Sequence, residues 1–486
     1  MQGSNALILS LKKWAKKNNK RFITETATGR HISYADFLVS LKAIQVYLGN
    51  TPQKILVVLP GGIDTALLWI ASLTSGHTLY PTSPYLTTHE YQEVLAQVQP
   101  DLIVADTTVQ LPPTHVQQIT PQLLKEKTAT RTAPQLQSKE GYVFLSTSGS
   151  TGKPKGILLN ATKIVITANA IRQVHELDEN DKGLTPLPFY HVNAPVVSLI
   201  ASLLAGAEVI IAPKYSTSHF WDWVEKFQPT WISIVPTMIA MLLSTNPPKT
   251  LEKIPLRFIR TASAPLPAAN LLAFEEKFGI PVIETYGITE AAATIAANPL
   301  PPKKHKPGSV GRPIGATMRI CNTNSTDALP AGTTGEVCIA GDNVISYYVG
   351  NVDTKSFTNG WFRTGDLGFM DADGYVYLTG RIKDIIIRGG ENISPREIED
   401  VLIGFPGIRE VVVVGQPDDI YGEKVVAFIV PFQKMTQAKK DALVQFARDM
   451  LSPQKVPAII HILNELPRGK TGKIDKPLLR LYTNPI

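Results

Sequence analysis

Hydrophobic positions along the first 140 residues switch between two periods. ALILSLKKWAKK (Ala6–Lys17) has helical spacing, and KILVVLP (Lys54–Pro60) is an unbroken apolar run that ends in Gly61-Gly62. TALLWIASLTSG (Thr65–Gly76) reads as a helix closed by Gly76, and DLIVAD (Asp101–Asp106) as a second short strand. Apolar runs bounded by glycine or proline and alternating with helical patterns predict an α/β fold with parallel sheet. A Pro/Thr/Gln-rich stretch over residues 107–139 reads as a connector, and it delivers the chain into another strand, YVFLST (Tyr142–Thr147).

The same alternation continues. AEVIIAP reads as a strand and PTWISIVPTMIAMLL as a strand–helix pair. LRFIRTASAPLP reads as a strand then a turn, and PVIETYGITEAA as strand, turn and helix start. From Gly308 to Gly374 the signal is mostly β, with GEVCIAG and GYVYLTG as short strands between turn residues. After Arg381 helices and strands mix again: PREIEDVLIGF, REVVVVGQPD, EKVVAFIVPF and a helix around KKDALVQFARDMLS. The predicted organisation is a large N-terminal domain over residues 1–380, built of α/β subdomains plus a small β-rich subdomain, and a small α+β C-terminal domain over 381–486. The boundary falls near 381–384. No fixed-period repeat or low-complexity segment interrupts this plan.

Composition narrows the classes. At 486 residues and 44% hydrophobic content the chain can bury a full core. Forty-eight basic against 41 acidic residues leave a net charge of +7, spread thinly. The nearest basic run, Lys12 to Arg21, reads as a solvated helix face, so no nucleic-acid partner is expected. Two cysteines, Cys321 and Cys338, make neither a disulfide framework nor a zinc site and fit a reducing compartment, the cytoplasm. The longest apolar stretch, Val196 to Ala207, is too short to span a bilayer. Neither a signal peptide nor a peroxisomal tail is read at the termini.

STSGSTGKPKG (Ser146–Gly156) looks built for phosphate. It is no P-loop: Thr147 stands where the first glycine belongs, and Pro154 follows Lys153 where a hydroxyl is required. The physics of anion holding survives. Gly149, Gly152 and Gly156 allow backbone amides to turn toward phosphate oxygens. Ser148, Ser150 and Thr151 add hydroxyl donors, and Lys153 and Lys155 add charge.

This string resembles the signature loop of the adenylate-forming superfamily, which includes acyl-CoA synthetases, adenylation domains of peptide synthetases and beetle luciferase. ETYGITE (Glu284–Glu290), WFRTGDLG (Trp361–Gly368), GRIKDIIIRGGENISPREIE (Gly380–Glu399) and PRGKTGKIDK (Pro467–Lys476) resemble its other signatures, in order. The resemblance implies two half-reactions. A carboxylate attacks the α-phosphate of ATP, giving an acyl-adenylate and pyrophosphate, and a thiol, often that of CoA, then displaces AMP.

The resemblance also implies roles. Lys473 bridges the α-phosphate and the attacking carboxylate. Thr147, Ser148, Gly149, Ser150, Thr151 and Lys155 hold phosphate. Thr289 and Glu290 contact phosphate and Mg²⁺, oxygen donors suited to a hard cation; a helix cap by Thr289 is compatible with this. Tyr286 walls the adenine, with Glu284, Thr285 and Gly287 on the same edge, and the main chain at Ser263 and Ala264 touches AMP. Asp366 takes the ribose diol, an acceptor suited to two hydroxyls, with Arg381 beside it; the competing reading of Asp366 is a turn former. Lys383 is the hinge about which the mobile C-terminal domain rotates. Gly389 and Gly390 then approach a pantetheine arm, and Lys214 touches the CoA nucleotide.

His191, in LPFYHVNAP, resembles the family's histidine near the carboxylate, and Asn193 and Ser263 line the acid pocket. Amino-acid-activating domains carry an Asp where this chain has Tyr190-His191, which argues against an amino acid substrate. The motifs RTASA, NPLPPKKHKPGSVGRPIG and RGGENISP look most like the oxalyl-CoA synthetase branch. Asn193 and Gly287 depart from it, standing where that branch has histidine and alanine. The expected activity is an ATP-dependent carboxylate–CoA ligase using ATP, Mg²⁺ and CoA on a small carboxylic acid. The alternative is a stand-alone enzyme loading a carrier protein; 13 residues follow Lys473, and no phosphopantetheine site is visible. A luciferase-like oxygenase and a degenerate nucleotide-binding module are more distant readings.

Overall fold

Strands that alternate with helices leave the chain free to line up in one direction, and here they do so in two separate sheets. The computed structural model describes residues 2–129, 136–147, 155–350, 353–469 and 474–482. The chain divides into two compact units. One comprises Met1–Leu266, Ala273–Met318 and Ile339–Phe362; the other comprises Pro267–Leu272, Arg319–Cys338 and Arg363–Ile486.

The first unit holds a nine-stranded sheet. Its six central strands are parallel and lie in the order Val282–Ile288, Phe258–Thr261, Trp231–Ile234, Lys182–Thr185, Glu208–Ile211, Arg21–Glu25. Antiparallel strands close both edges: Ala293–Ala297 with Arg312–Pro313 on one side, and His31–Ser33 on the other. A second, six-stranded sheet runs Gln117–Ile119, Leu102–Ala105, Lys54–Val58, Thr78–Pro81, Tyr142–Thr147, Lys155–Asn160. Its last two strands form an antiparallel hairpin in which Thr147 pairs with Lys155, so the Gly/Ser loop lies between them. The helix Ile63–Ser75 is buried at every position except Asp64, which is why its sequence is apolar all round.

In the second unit, Ile408–Asp418 and Gly422–Pro431 form a long antiparallel pair, joined by Ile386–Arg388 and Glu391–Ile393 and, in parallel, by Ile459–Ile462. Successive side chains of a strand face opposite ways. Val413, Val425, Ala427 and Ile429 accordingly pack with Ile398 and Leu443 of two helices, Pro395–Leu402 and Gln437–Met450. Val412, Val414, Val426 and Phe428 pack with Leu466 and Leu479 on the other face. Both faces are covered, so the run VVVV is continuous rather than alternating.

Two readings change. The stretch 107–139 is not a plain connector: Gln117–Ile119 adds an edge strand parallel to Leu102–Ala105, and Pro121–Ala129 is helical. Only Ile119 of that strand is buried, so no apolar period announces it. The helix start expected after Ile288 is a single 3₁₀ turn, Thr289–Ala291, after which the chain reverses into Ala293–Ala297. Alanine-rich sequence favours helix only weakly, and cross-strand pairing overrides it.

His175 follows the helix Ala161–Val174 and is fully buried, 5.2 Å from the Phe258 ring and 6.4 Å from Trp231 by centroid. Neither ring nitrogen has a hydrogen-bond partner. Burial first, then the charges of Arg260 and Arg257, pull its pKa from 6.5 to about 3. The unfolded chain therefore binds a proton that the native state refuses. Stability is full above pH 6.5 and falls as pH drops from there toward about 3. Between pH 7.5 and pH 5 this one group withdraws about 2 kcal/mol. His175→Leu is expected to lose about 2 kcal/mol less than the parent over that interval in urea unfolding. Equal losses in the two proteins would show that His175 does not carry the acid sensitivity.

Candidate active site

Parallel strands end on the same edge of a sheet, and loops leaving their carboxyl ends meet there. His191 and Asn193 follow the strand Lys182–Thr185, Ser263 and Ala264 follow Phe258–Thr261, and Thr289 and Glu290 follow Val282–Ile288. His191 is half-buried, its ring edge-on to Tyr190 at 4.7 Å. Asn193 opens an eight-residue π-helical stretch, Asn193–Ile200, a widened turn that often marks functional positions. Ser263 is held at φ +77°, a left-handed conformation costly for a residue with a Cβ. Its Oγ accepts a hydrogen bond from Asn193 Nδ2 at 3.2 Å.

Behind Asn193 lies a residue the sequence reading passed over. Arg260 is 1% exposed in the middle of its strand. Its guanidinium donates to Asn193 Oδ1 at 2.8 Å, Ser233 Oγ at 3.1 Å and Thr294 Oγ1 at 2.8 Å. Burial pulls its pKa down to about 9, so it stays charged at neutral pH. The available signal was an arginine inside an otherwise apolar strand, FIRT.

Glu284 and Thr285 are 1% and 3% exposed. Glu284 Oε1 accepts from the Leu266 amide at 3.3 Å, and the Thr285 hydroxyl donates to the Thr261 carbonyl at 3.0 Å. Both side chains bind neighbouring segments rather than turning outward. Tyr286 is largely buried beside them. A Cβ on Gly287 would lie 2.1 Å from the Ala293 carbonyl oxygen, so the adjoining strand leaves no room for the alanine of the oxalyl branch as it stands. Thr289 caps no helix: the turn it opens is three residues long and has no side-chain cap.

Glu290 Oε1 accepts a 2.8 Å hydrogen bond from the buried Tyr348 hydroxyl, and its carbonyl accepts from the Ile345 amide at 2.9 Å. Burial, then the Glu290 charge, pushes the Tyr348 phenol far above its usual range, so the hydroxyl remains a donor. Lys155 Nζ lies over the same tyrosine ring, 4.8 Å from its centroid, and is ion-paired with Asp353. Burial alone would raise the Asp353 carboxyl. Lys155 and Ser356 outweigh it and hold the carboxyl below the ordinary value. Tyr348 thus joins a carboxylate and a lysine 135 positions apart (290 − 155), a link that no local pattern displays. The Thr147 side chain, Ser148, Gly149, Ser150, Thr151 and Lys473 lie outside the described residues.

In the second unit, Asp366 and Arg381 face each other across an antiparallel pair. Arg381 Nε lies 2.7 Å from Asp366 Oδ1; the carboxylate is buried while the arginine is half-exposed. Asp366 sits inside the strand Trp361–Met370, so the turn-former reading is corrected. Lys383 follows in a 3₁₀ turn, its ammonium pulled below the usual lysine range by desolvation first and then by Arg381. Gly389 and Gly390, at φ +59° and +85°, form the two-residue turn between Ile386–Arg388 and Glu391–Ile393. Positive φ at both positions is the hairpin geometry that glycine alone adopts at no steric cost. Lys214, in the first unit, is exposed. Among the described residues no three His, Cys, Asp or Glu side chains cluster as a metal site.

Comparison with known proteins gives the family. Residues 11–349 match the AMP-binding enzyme family and 397–473 the AMP-binding enzyme C-terminal domain. The chain is 36% identical to a sulfoacetate–CoA ligase of Cupriavidus necator, over 87% of this chain and 86% of that protein. It is 39% identical to an oxalate–CoA ligase of Arabidopsis thaliana, over 70% of this chain and 67% of the other. Among solved structures, ATP-bound MatB from Rhodopseudomonas palustris superposes with a TM-score of 0.87 at 26% identity, covering 99% of both chains.

The Tyr348–Glu290 bond is open to direct measurement. A hydrogen bond to a charged group contributes about 1.5–3 kcal/mol. A double-mutant cycle of Tyr348→Phe and Glu290→Gln in urea unfolding is expected to give a coupling energy of at least about 1 kcal/mol. Additive losses would mean the contact is energetically idle.

Proposed function

The chain belongs to the AMP-binding enzyme family and is an ATP-dependent carboxylate–CoA ligase using ATP, Mg²⁺ and CoA, and on that premise we propose how its residues divide the work and which acids it takes. The observation that carries the reading is Tyr348, which holds the Glu290 carboxylate with its hydroxyl and supports Lys155 with its ring. A hard-oxygen donor and a phosphate-type cation are thereby fixed side by side.

Adenylation brings a carboxylate toward an already anionic triphosphate. A carboxylate oxygen attacks the α-phosphorus, the bond to the bridging oxygen breaks, and pyrophosphate leaves. Lys155 and the Ser148–Thr151 hydroxyls and amides hold the phosphates, and Lys473 supplies positive charge between the α-phosphate and the attacking oxygen. Glu290 and Thr289, both hard oxygen donors, fit magnesium. Bound there, it supplies positive charge against the triphosphate. Tyr286 packs against adenine, with the backbone of Glu284, Thr285, Gly287, Ser263 and Ala264 around AMP. Asp366, oriented by Arg381, accepts from the ribose hydroxyls.

In the second step the CoA thiol attacks the acyl carbon and AMP leaves. We assign Lys383 the hinge between N-terminal residues 1–380 and C-terminal residues 381–486. Gly389 and Gly390 take the pantetheine side, and Lys214 the CoA nucleotide. His191, Asn193 and Ser263 receive the acid. The polar floor formed by Asn193 and Ser263 supports a small polar acid over a fatty acid. Two relatives named for oxalate and sulfoacetate support the same choice. Two free buried cysteines support a reducing compartment such as the cytoplasm, and no helix among the described residues is long and apolar enough to cross a membrane.

Pyrophosphate release from ATP across a panel of oxalate, malonate, sulfoacetate, fatty, aryl and amino acids, with and without CoA, tests this reading. One small polar acid should release pyrophosphate, and CoA should convert it to thioester and AMP. Adenylation that CoA does not accelerate would move the acceptor to a carrier protein, and preference for a long fatty acid would refute the acid assignment. Lys473→Ala should slow adenylation at least about a hundredfold while ATP still binds by calorimetry. Undiminished turnover would remove Lys473 from the mechanism.

A further inference from the structure

Arg260 carries a charge that nothing in its surroundings balances. It is fully buried, and no Asp or Glu among the described residues pairs with it. Its three partners, Asn193, Ser233 and Thr294, are all neutral. Its Nε has no partner at all. A buried cation is ordinarily paired, because removing it from water without a counter-charge is costly.

The hydrogen bonds around it also have a direction. A guanidinium can only donate, so the Asn193 amide must present Oδ1 to Arg260 and Nδ2 to the other side. Nδ2 donates to Ser263 Oγ at 3.2 Å. That bond uses a Ser263 lone pair and leaves its hydroxyl proton to donate onward. Every bond from Arg260 through Asn193 to Ser263 therefore runs outward from the cation, from a buried side chain through a half-buried one to an exposed one. Hydrogen bonds in such a chain polarise one another in the same sense. The chain ends in N–H and O–H donors, and the natural complement of such an end is an anion.

We propose that Arg260 sets the specificity of the acid pocket, selecting short acids that carry a second anionic group, a carboxylate or a sulfonate. This rests on the ligase reading for the reacting carboxylate. The second anionic group is the missing counter-charge, met through Asn193 and Ser263. Arg260 is a positioning residue: it touches Asn193, and Asn193 and Ser263 meet the acid. A monoanionic acid of equal length leaves the donors and the buried charge unanswered.

The test compares the full-length protein with Arg260→Met, Arg260→Lys and Asn193→Ala. Two readouts are taken. One is the melting shift caused by malonate, oxalate or sulfoacetate against butyrate at matched ionic strength, without nucleotide. The other is the ratio of kcat/KM for pyrophosphate release with the best of these acids to that with butyrate. The parent should be stabilised more by the doubly anionic acids and should favour one of them. Arg260→Met should lower the ratio at least about tenfold, because unanswered buried polar groups discriminate strongly. Arg260→Lys should recover part of the loss. If Arg260→Met does not fold, Asn193→Ala, near the surface end of the chain, must show the same fall in ratio. Equal use of butyrate by the parent overturns the proposal, and so does an equal fall for both acids in the variants. If no acid releases pyrophosphate, an anion-specific melting shift that Arg260→Met abolishes still upholds the site while the ligase reading fails. Absence of that shift overturns both.

Discussion

Six neighbouring strands running in one direction are the constraint on which the candidate residues of the first unit depend. Had the strand Phe258–Thr261 run the other way, Ser263 and Asn193 would leave opposite edges of the sheet and could not share a hydrogen bond. The same direction carries Tyr286, Thr289 and Glu290 to that edge. The antiparallel return of Ala293–Ala297 then fixes where they stop. It passes so close to Gly287 that no side chain fits between them.

The sheet also hosts polar groups that a core would ordinarily reject. Thr285 spends its hydroxyl on a neighbouring carbonyl, and Glu284 accepts from a loop amide. These bonds replace the water lost on burial, and such exchange is close to neutral for stability. Arg260 and His175 differ. One is a cation without a counter-ion, the other an imidazole without a hydrogen-bond partner, and the charge of Arg260 adds to burial in lowering the affinity of His175 for a proton. A core that retains such groups gives up stability that an apolar replacement would supply. This fits sites where specificity outweighs stability.

The sequence read well where structure is local. Strands with unbroken apolar runs, helices closed by glycine and the paired glycines at 389–390 all follow rules that act within a few residues. The reading missed features that arise from pairing across the chain. A strand with one buried residue, Gln117–Ile119, is held in place by its neighbour rather than by its own pattern. The run EAAATIAA looks helical until an antiparallel partner claims it. Of the candidate site, Glu290 and Asp366 were legible as acids in ordered motifs. Tyr348, Asp353 and Arg260 were not, because each matters through a contact formed far along the chain or inside the sheet.

The pairing of Lys155 with Asp353 leaves the surroundings of Tyr348 net acidic. Lys155, Asp353 and Glu290 together bear formal charges of one positive and two negative, gathered around one tyrosine. The lysine's charge is already met at short range by a carboxylate, so an anion that engages Lys155 does so in competition with Asp353.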